Sequence, residues 1–201
     1  MTRETVLGKA VIGSDAWIWK VAMVIGGSLF IALAAQVSVP MIPVPMTLQT
    51  LAILIVGLTF GARLGAVTLL VYLAEGAMGL PVFANGGSTL TLVGPTAGFL
   101  VGFVGMAWLA GLAVERGIAR GVLTTALSCM VISALLYLPG VAWPMAVAGL
   151  LGFDGSWVGS SAGAIWQYWV SPFLIGDALK AVIAGLVVAG GWAALRGTGR
   201  G

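Results

Sequence analysis

Histidine is absent from this chain of 201 residues, and cysteine occurs once. The first absence removes the commonest general base near neutral pH and the commonest metal ligand. The second excludes an internal disulfide, and Cys129, inside the apolar run Ala126-Leu127-Ser128-Cys129-Met130-Val131-Ile132, reads as a small apolar filler. Charge is scarce as well: Asp, Glu, Lys and Arg make up 7% of the residues, against about 25% in a soluble domain. With 60% hydrophobic residues, that deficit identifies an integral membrane protein. Catalytic signatures are missing. No Gly-x-x-x-x-Gly-Lys-[Ser/Thr] loop is present, so the chain is not expected to hydrolyse ATP itself. Neither His-Glu-x-x-His nor Cys-x-x-Cys occurs to hold a metal, and there is no Ser–His pair. No catalytic residue, metal or cofactor is expected.

Long charge-free runs are what the chain has instead, at 21–62, 76–114 and 121–153. Each exceeds the roughly 20 residues of one membrane span. The pattern predicts a single all-α membrane domain over 1–201, with six helices at about 17–38, 47–62, 63–79, 94–115, 119–139 and 170–195. The positions of Lys and Arg orient it. Arg3, Lys9 and Lys20 precede the first helix, Arg63 follows the second, Arg116 and Arg120 follow the fourth, and Arg196 and Arg200 follow the sixth. The loops at 39–46, 80–93 and 140–169 carry neither residue type. Positively charged loops stay in the cytoplasm, so both termini are expected there. Tryptophans fit that arrangement: Trp17, Trp19 and Trp192 suit the inner interface, and Trp143, Trp157, Trp166 and Trp169 the outer one. The net charge of +3 then follows from topology and requires no nucleic acid. A cleavable leader ending near Ala32-Leu33-Ala34 is the weaker reading of the first apolar stretch.

The basic-poor loops are long, apolar and rich in Pro and Gly. The first contains Pro40, Pro43 and Pro45; the second runs from Gly79 through Pro81, Asn85 and Gly87 to Gly94 and Pro95. The third should hold an interfacial helix broken at Pro172. Irregular backbone at membrane depth must be buried in protein or line a cavity, and three such loops on one side predict the roof of an outward-facing pocket. Glycines at 57, 61 and 65, and again at 94, 98 and 102, predict close helix packing.

Asp177 and Lys180 are the chemistry-bearing residues of this greasy chain. Three residues apart, they share one helix face. An ionisable group at mid-helix depth costs about 2.5–3.5 kcal/mol on insertion scales, so such a pair faces a protein interior or wet cavity and marks a candidate functional site. Glu75 is the other acid within the apolar part and is expected to cap or pair near the outer end of the third helix. Gln36, Thr47, Gln49, Asn85, Gln167 and Tyr168 are polar candidates, and Phe83, Phe99, Trp166 and Trp169 are candidate walls for an apolar ligand body. An intramembrane hydrolase would need a second carboxylate beside Asp177, and only distant Glu75 is available. A ligand-free scaffold is the bland alternative.

Three stretches carry a resemblance. Pro43-Val44-Pro45-Met46-Thr47-Leu48-Gln49, Gly79-Leu80-Pro81-Val82-Phe83-Ala84 followed by Gly94-Pro95-Thr96-Ala97-Gly98-Phe99, and Pro172-Phe173-Leu174-Ile175-Gly176-Asp177-Ala178-Leu179-Lys180 resemble, in order, the motifs of BioY proteins. These are the biotin-specific S components of energy-coupling factor transporters in the bacterial cytoplasmic membrane. The resemblance implies a six-transmembrane-helix S-component bundle that binds biotin near the outer surface under the first and third loops. It implies a membrane-embedded T component and ABC-type ATPases as partners. The family's ligand-contacting Asp and Lys correspond to Asp177 and Lys180, and its loop asparagine to Asn85. Phe99 stands where the family often has Tyr, which removes a hydroxyl there. A small-residue docking face on the first helix has Ser28 and Ala32 as its nearest match. Biotin offers two ureido N–H donors, one carbonyl acceptor and an apolar body, which suit Asp177, Lys180, Asn85 and Gln49 beside Phe83, Phe99 and Trp166. An S component for another vitamin, thiamine or riboflavin, is the alternative.

Overall fold

The computed structural model describes residues 17–197, with side chains through Gly191. Arg3, Lys9 and Arg200 lie outside the described residues, as do the side chains of Trp192 and Arg196. The chain is built from α1 (Trp17–Gln36), α2 (Gln49–Phe60), α3 (Ala62–Ala77), α4 (Ala97–Glu115), α5 (Val122–Ala142) and α6 (Leu174–Gly197). Helix is what an apolar chain must form in lipid, because it satisfies every backbone donor and acceptor within the segment. Among the described residues, four helical stretches are long and apolar enough to cross a membrane: Trp17–Gln36, Ala97–Glu115, Val122–Leu150 and Leu174–Gly191.

α2 and α3 are short. Their 12 and 16 residues rise about 18 and 24 Å at 1.5 Å per residue, less than the roughly 30 Å of hydrocarbon. Two loops lie at their far ends. Residues 37–48 form a small hairpin in which Ser38 pairs with Thr47 and Val39 with Met46. Residues 78–96 fold down beside it through two 3-10 turns, Ala84–Gly86 and Thr89–Leu92. Val44 and Phe83 are the buried residues of these two loops, and their side chains anchor irregular backbone that otherwise stays accessible.

At the opposite end, α2 and α3 meet at Gly61 alone, whose φ of 86° is a left-handed conformation that glycine adopts without a Cβ clash. The Glu115 carboxylate of α4 accepts the Ala62 N–H at 2.8 Å and so caps α3. The glycine series reads as internal packing. A Cβ on Gly57 would stand 2.5 Å from the Ala107 carbonyl oxygen, and one on Gly98 would stand 2.3 Å from that of Pro139.

The fifth helix exceeds its expected range of 119–139. It continues past Pro139 through a π turn, Trp143–Val147, to Leu150. Proline removes one backbone donor, and a wider turn just beyond it is a usual response of the helical ladder. The remainder of the third loop folds back as one α turn, Ala162–Ile165, and a second π turn, Trp166–Val170. The main core gathers Ile31, Ile53, Leu54, Leu58, Leu69 and their neighbours between the helices. A smaller cluster of Val44, Ile165, Trp169 and Phe173 packs under the loops.

Candidate ligand site

A cavity of about 380 Å³ opens where the loops meet the ends of the helices. Its floor is Phe103 of α4 and Leu136 of α5; its roof is the two loops; α6 supplies Asp177 and Lys180. Lys180 lies six residues into α6, about 9 Å along the axis at 1.5 Å per residue. The cavity is at the end of the bundle opposite Lys20, Arg63, Arg116 and Arg120.

The two charged side chains do turn toward each other. Lys180 Nζ stands 3.5 Å from Asp177 Oδ1. The pair is not sealed, because both residues line the cavity. Lys180 Nζ also donates to Thr50 Oγ1 at 3.0 Å, and Tyr137 OH donates to Asp177 Oδ2 at 2.7 Å. An ammonium has three donors and a carboxylate about four lone-pair sites. One ammonium hydrogen and about two carboxylate lone pairs therefore stay available beside the cavity. The arrangement can accept one or two N–H donors and donate to one carbonyl oxygen.

Gln49 forms a second polar station. Its Nε2 donates to Tyr72 OH at 2.7 Å, and that hydroxyl donates to the Val82 carbonyl at 2.8 Å. Those bonds fix the amide orientation and leave Gln49 Oε1 as an acceptor in a residue that lines the cavity. Asn85, on the roof, adopts φ 57°, a left-handed conformation that Asn tolerates better than most residues. Its Oδ1 accepts from Ser38 Oγ at 2.7 Å, so its two amide hydrogens stay available.

Aromatic rings wall the apolar part. Phe83 is fully buried against Tyr72, with ring centroids 5.3 Å apart. Phe99 sits edge-on to Tyr137 at 6.1 Å and stacks on Trp169 at 6.5 Å. Two glycines seat these rings: a Cβ on Gly76 would stand 2.1 Å from Phe83, and one on Gly140 2.4 Å from Phe99.

Of the residues singled out in the sequence, Asp177, Lys180, Asn85, Gln49, Phe83, Phe99 and Thr47 line this cavity together. Trp166 does not. It is 59% exposed, while Trp169 is 2% exposed and backs Phe99. In an α-helix positions i and i+3 share a face, but this stretch is a π turn, whose wider winding carries the two rings to different sides. Gln167 and Tyr168 are likewise exposed on that turn. Gln36 lies off the cavity and holds the roof: its Nε2 donates to the Phe83 carbonyl at 3.1 Å and its Oε1 accepts the Gly86 N–H at 3.0 Å. Ser28 and Ala32, expected as an outward docking face, are buried between helices. Ser28 Oγ donates to the Glu75 carboxylate of α3, which pairs that acid inside the chain. Tyr137, Thr50 and Tyr72 are the participants that sequence reasoning missed. The available signal was a hydroxyl in an otherwise apolar helix, which needs a partner when buried.

The BioY family model matches residues 7–197. A biotin transporter BioY of Rhizobium etli is 36% identical over 165 residues, covering 78% of this chain and 82% of that protein. One from Rhodobacter capsulatus is 39% identical over 171 residues, covering 79% and 87%. Among solved structures, an S component for biotin from an ECF-type ABC transporter superposes with a TM-score of 0.71, covering 86% of this chain and 89% of that one. At 18% identity, that last likeness concerns the fold.

Proposed function

This chain belongs to the BioY family, and from that membership we propose that it is a substrate-capture subunit that binds biotin for uptake across the bacterial cytoplasmic membrane. The family is one of transporters, not of enzymes. The observation that carries the reading is the meeting of Asp177, Lys180 and Tyr137 beside a cavity at the basic-poor end of an apolar helical bundle.

In this reading all six helices cross the bilayer, with both termini in the cytoplasm and the cavity facing outward, following the positive-inside rule. The ureido ring of biotin lies at depth: Asp177 accepts an N–H, Lys180 donates to the carbonyl, and Gln49 Oε1 takes a further N–H. The thiophane ring and valeryl chain lie against Phe83, Phe99 and Phe103, with Asn85 over the mouth. Charge-assisted hydrogen bonds in a dry site are roughly twice as strong as neutral ones, and a buried group left unpaired costs about 1–3 kcal/mol. That penalty rejects analogues lacking the ureido group. Lys180 also disfavours thiamine, whose ring is a cation, by like-charge repulsion at the site. Transport driven by ATP then rests on a membrane T component and ABC-type ATPases, since this chain carries no phosphate-binding loop.

Titration calorimetry of the detergent-purified chain with biotin, thiamine and riboflavin tests the assignment. Saturable binding of biotin, one per chain, with no heat from the other two is expected. Tighter binding of either other vitamin, or no binding of biotin, would overturn it.

A further inference from the structure

A second concavity of about 510 Å³ lies on the outer surface of the bundle between α4 and α5, away from the ligand cavity. Leu109 and Leu112 of α4 face Leu127, Val131 and Leu135 of α5 across it, and Arg116 closes one end. Its origin is legible along a single stripe of α4. At Gly98 and Gly102 the helices touch: an added Cβ would stand 2.3 Å from the Pro139 carbonyl oxygen and 2.7 Å from the Leu136 side chain. At Gly105, one turn further, nothing lies within 4 Å of such a Cβ. From there to Arg116 the two helices diverge and leave a groove.

The groove has the proportions of one bilayer leaflet. Its α5 wall runs from Thr124 to Leu135, about 17 Å of helix rise, close to half of the roughly 30 Å hydrocarbon thickness. Its closed end carries a cation. Arg116 is exposed, and among the described residues its guanidinium has no ionic or hydrogen-bond partner. The neighbouring acid, Glu115, is engaged by the Ala62 N–H. An apolar channel as long as one leaflet, with an exposed guanidinium at the end where the bundle's basic residues cluster, is complementary to a lipid bearing a negative headgroup. Guanidinium binds phosphate through paired, charge-assisted hydrogen bonds, and basic sites between membrane helices favour anionic headgroups.

We propose that this groove holds one acyl chain of an anionic phospholipid, with the lipid phosphate on Arg116. The site is separate from the ligand cavity, so it stands or falls independently of the bound vitamin.

Native mass spectrometry of the purified chain, titrated with phosphatidylglycerol and with phosphatidylcholine of the same acyl chains, tests it. The wild type is expected to retain phosphatidylglycerol about fivefold more tightly, the increment of one Lys/Arg near an anionic surface. Arg116→Gln should reduce phosphatidylglycerol to the phosphatidylcholine level without changing the latter. Val131→Trp, which fills the groove, should weaken both lipids. An unchanged unfolding temperature in detergent reports that each variant is folded. Equal retention of the two lipids by the wild type, or a headgroup preference that survives both substitutions, would overturn the proposal. So would a Val131→Trp variant that binds lipid normally but no longer copurifies with partner subunits, since the groove would then belong to a protein.

Discussion

The Tyr137 hydroxyl meets the Asp177 carboxylate at 2.7 Å, joining α5 to α6 between residues 40 apart in sequence. The bond occupies one carboxylate oxygen and turns the other toward Lys180, 3.5 Å away. The acid is thus aimed by one neighbour and only loosely paired by the other, which leaves both charges able to engage a guest.

Tyr137→Phe keeps the ring that packs on Phe99 and removes only the hydroxyl. Losing one hydrogen bond to a charged group costs about 1.5–3 kcal/mol, so biotin affinity should fall at least about tenfold. Calorimetry measures the change, and an unchanged affinity would show that Asp177 is oriented without it.

Tyr72→Phe breaks a chain that runs from Gln49 through the Tyr72 hydroxyl to the Val82 carbonyl. The buried Gln49 amide and the partly buried Val82 carbonyl each lose a partner, the former at about 1–3 kcal/mol. Thermal unfolding in detergent should shift downward, and added biotin should restore part of the loss by holding Gln49. A variant as stable as the wild type would mean that the hydroxyl carries no structural weight.

Gly140→Val places branched carbons where the Phe99 ring now sits. Overpacking of this kind costs about 1–3 kcal/mol. The ring should be driven into the cavity and weaken biotin binding more than Gly105→Val, which meets open space. Equal affinities for the two variants, read by the same titration, would contradict the seating of Phe99 by Gly140.

Orientation is open to chemical labelling. In a Cys129→Ser background, Asn85→Cys should react with an impermeant maleimide added outside intact cells, and biotin should protect it. Ile118→Cys, beside Arg116 and Arg120, should react only after the membrane is opened. The reverse pattern would invert the topology.

Much of this architecture was legible in the chain because lipid imposes harsh rules. The expected first helix, 17–38, is Trp17–Gln36, and the expected fourth, 94–115, is Ala97–Glu115. The charge pair was readable since ionisable groups at that depth need a reason. Other features depend on details that hydropathy does not encode. The shift from Trp166 to Trp169 follows from a π turn, and no residue pattern announces one. Ser28 and Ala32 have the spacing of a docking face, but small residues also suit an internal seam, and the Glu75 partner decided between them. The role of Tyr137 required knowing how α5 is rotated against α6, which is a tertiary fact.

The most direct measurement is biotin titration of the purified wild type beside Asp177→Asn and Lys180→Ala, with unfolding temperature recorded for each. One binding event per chain is expected for the wild type. Truncating one charged partner of a largely desolvated binding contact costs about 2–5 kcal/mol, so both variants should lose at least about thirtyfold in affinity while remaining folded. Wild-type affinity in both folded variants would contradict the account, because the cavity would then hold its ligand without the acid and the base that line it.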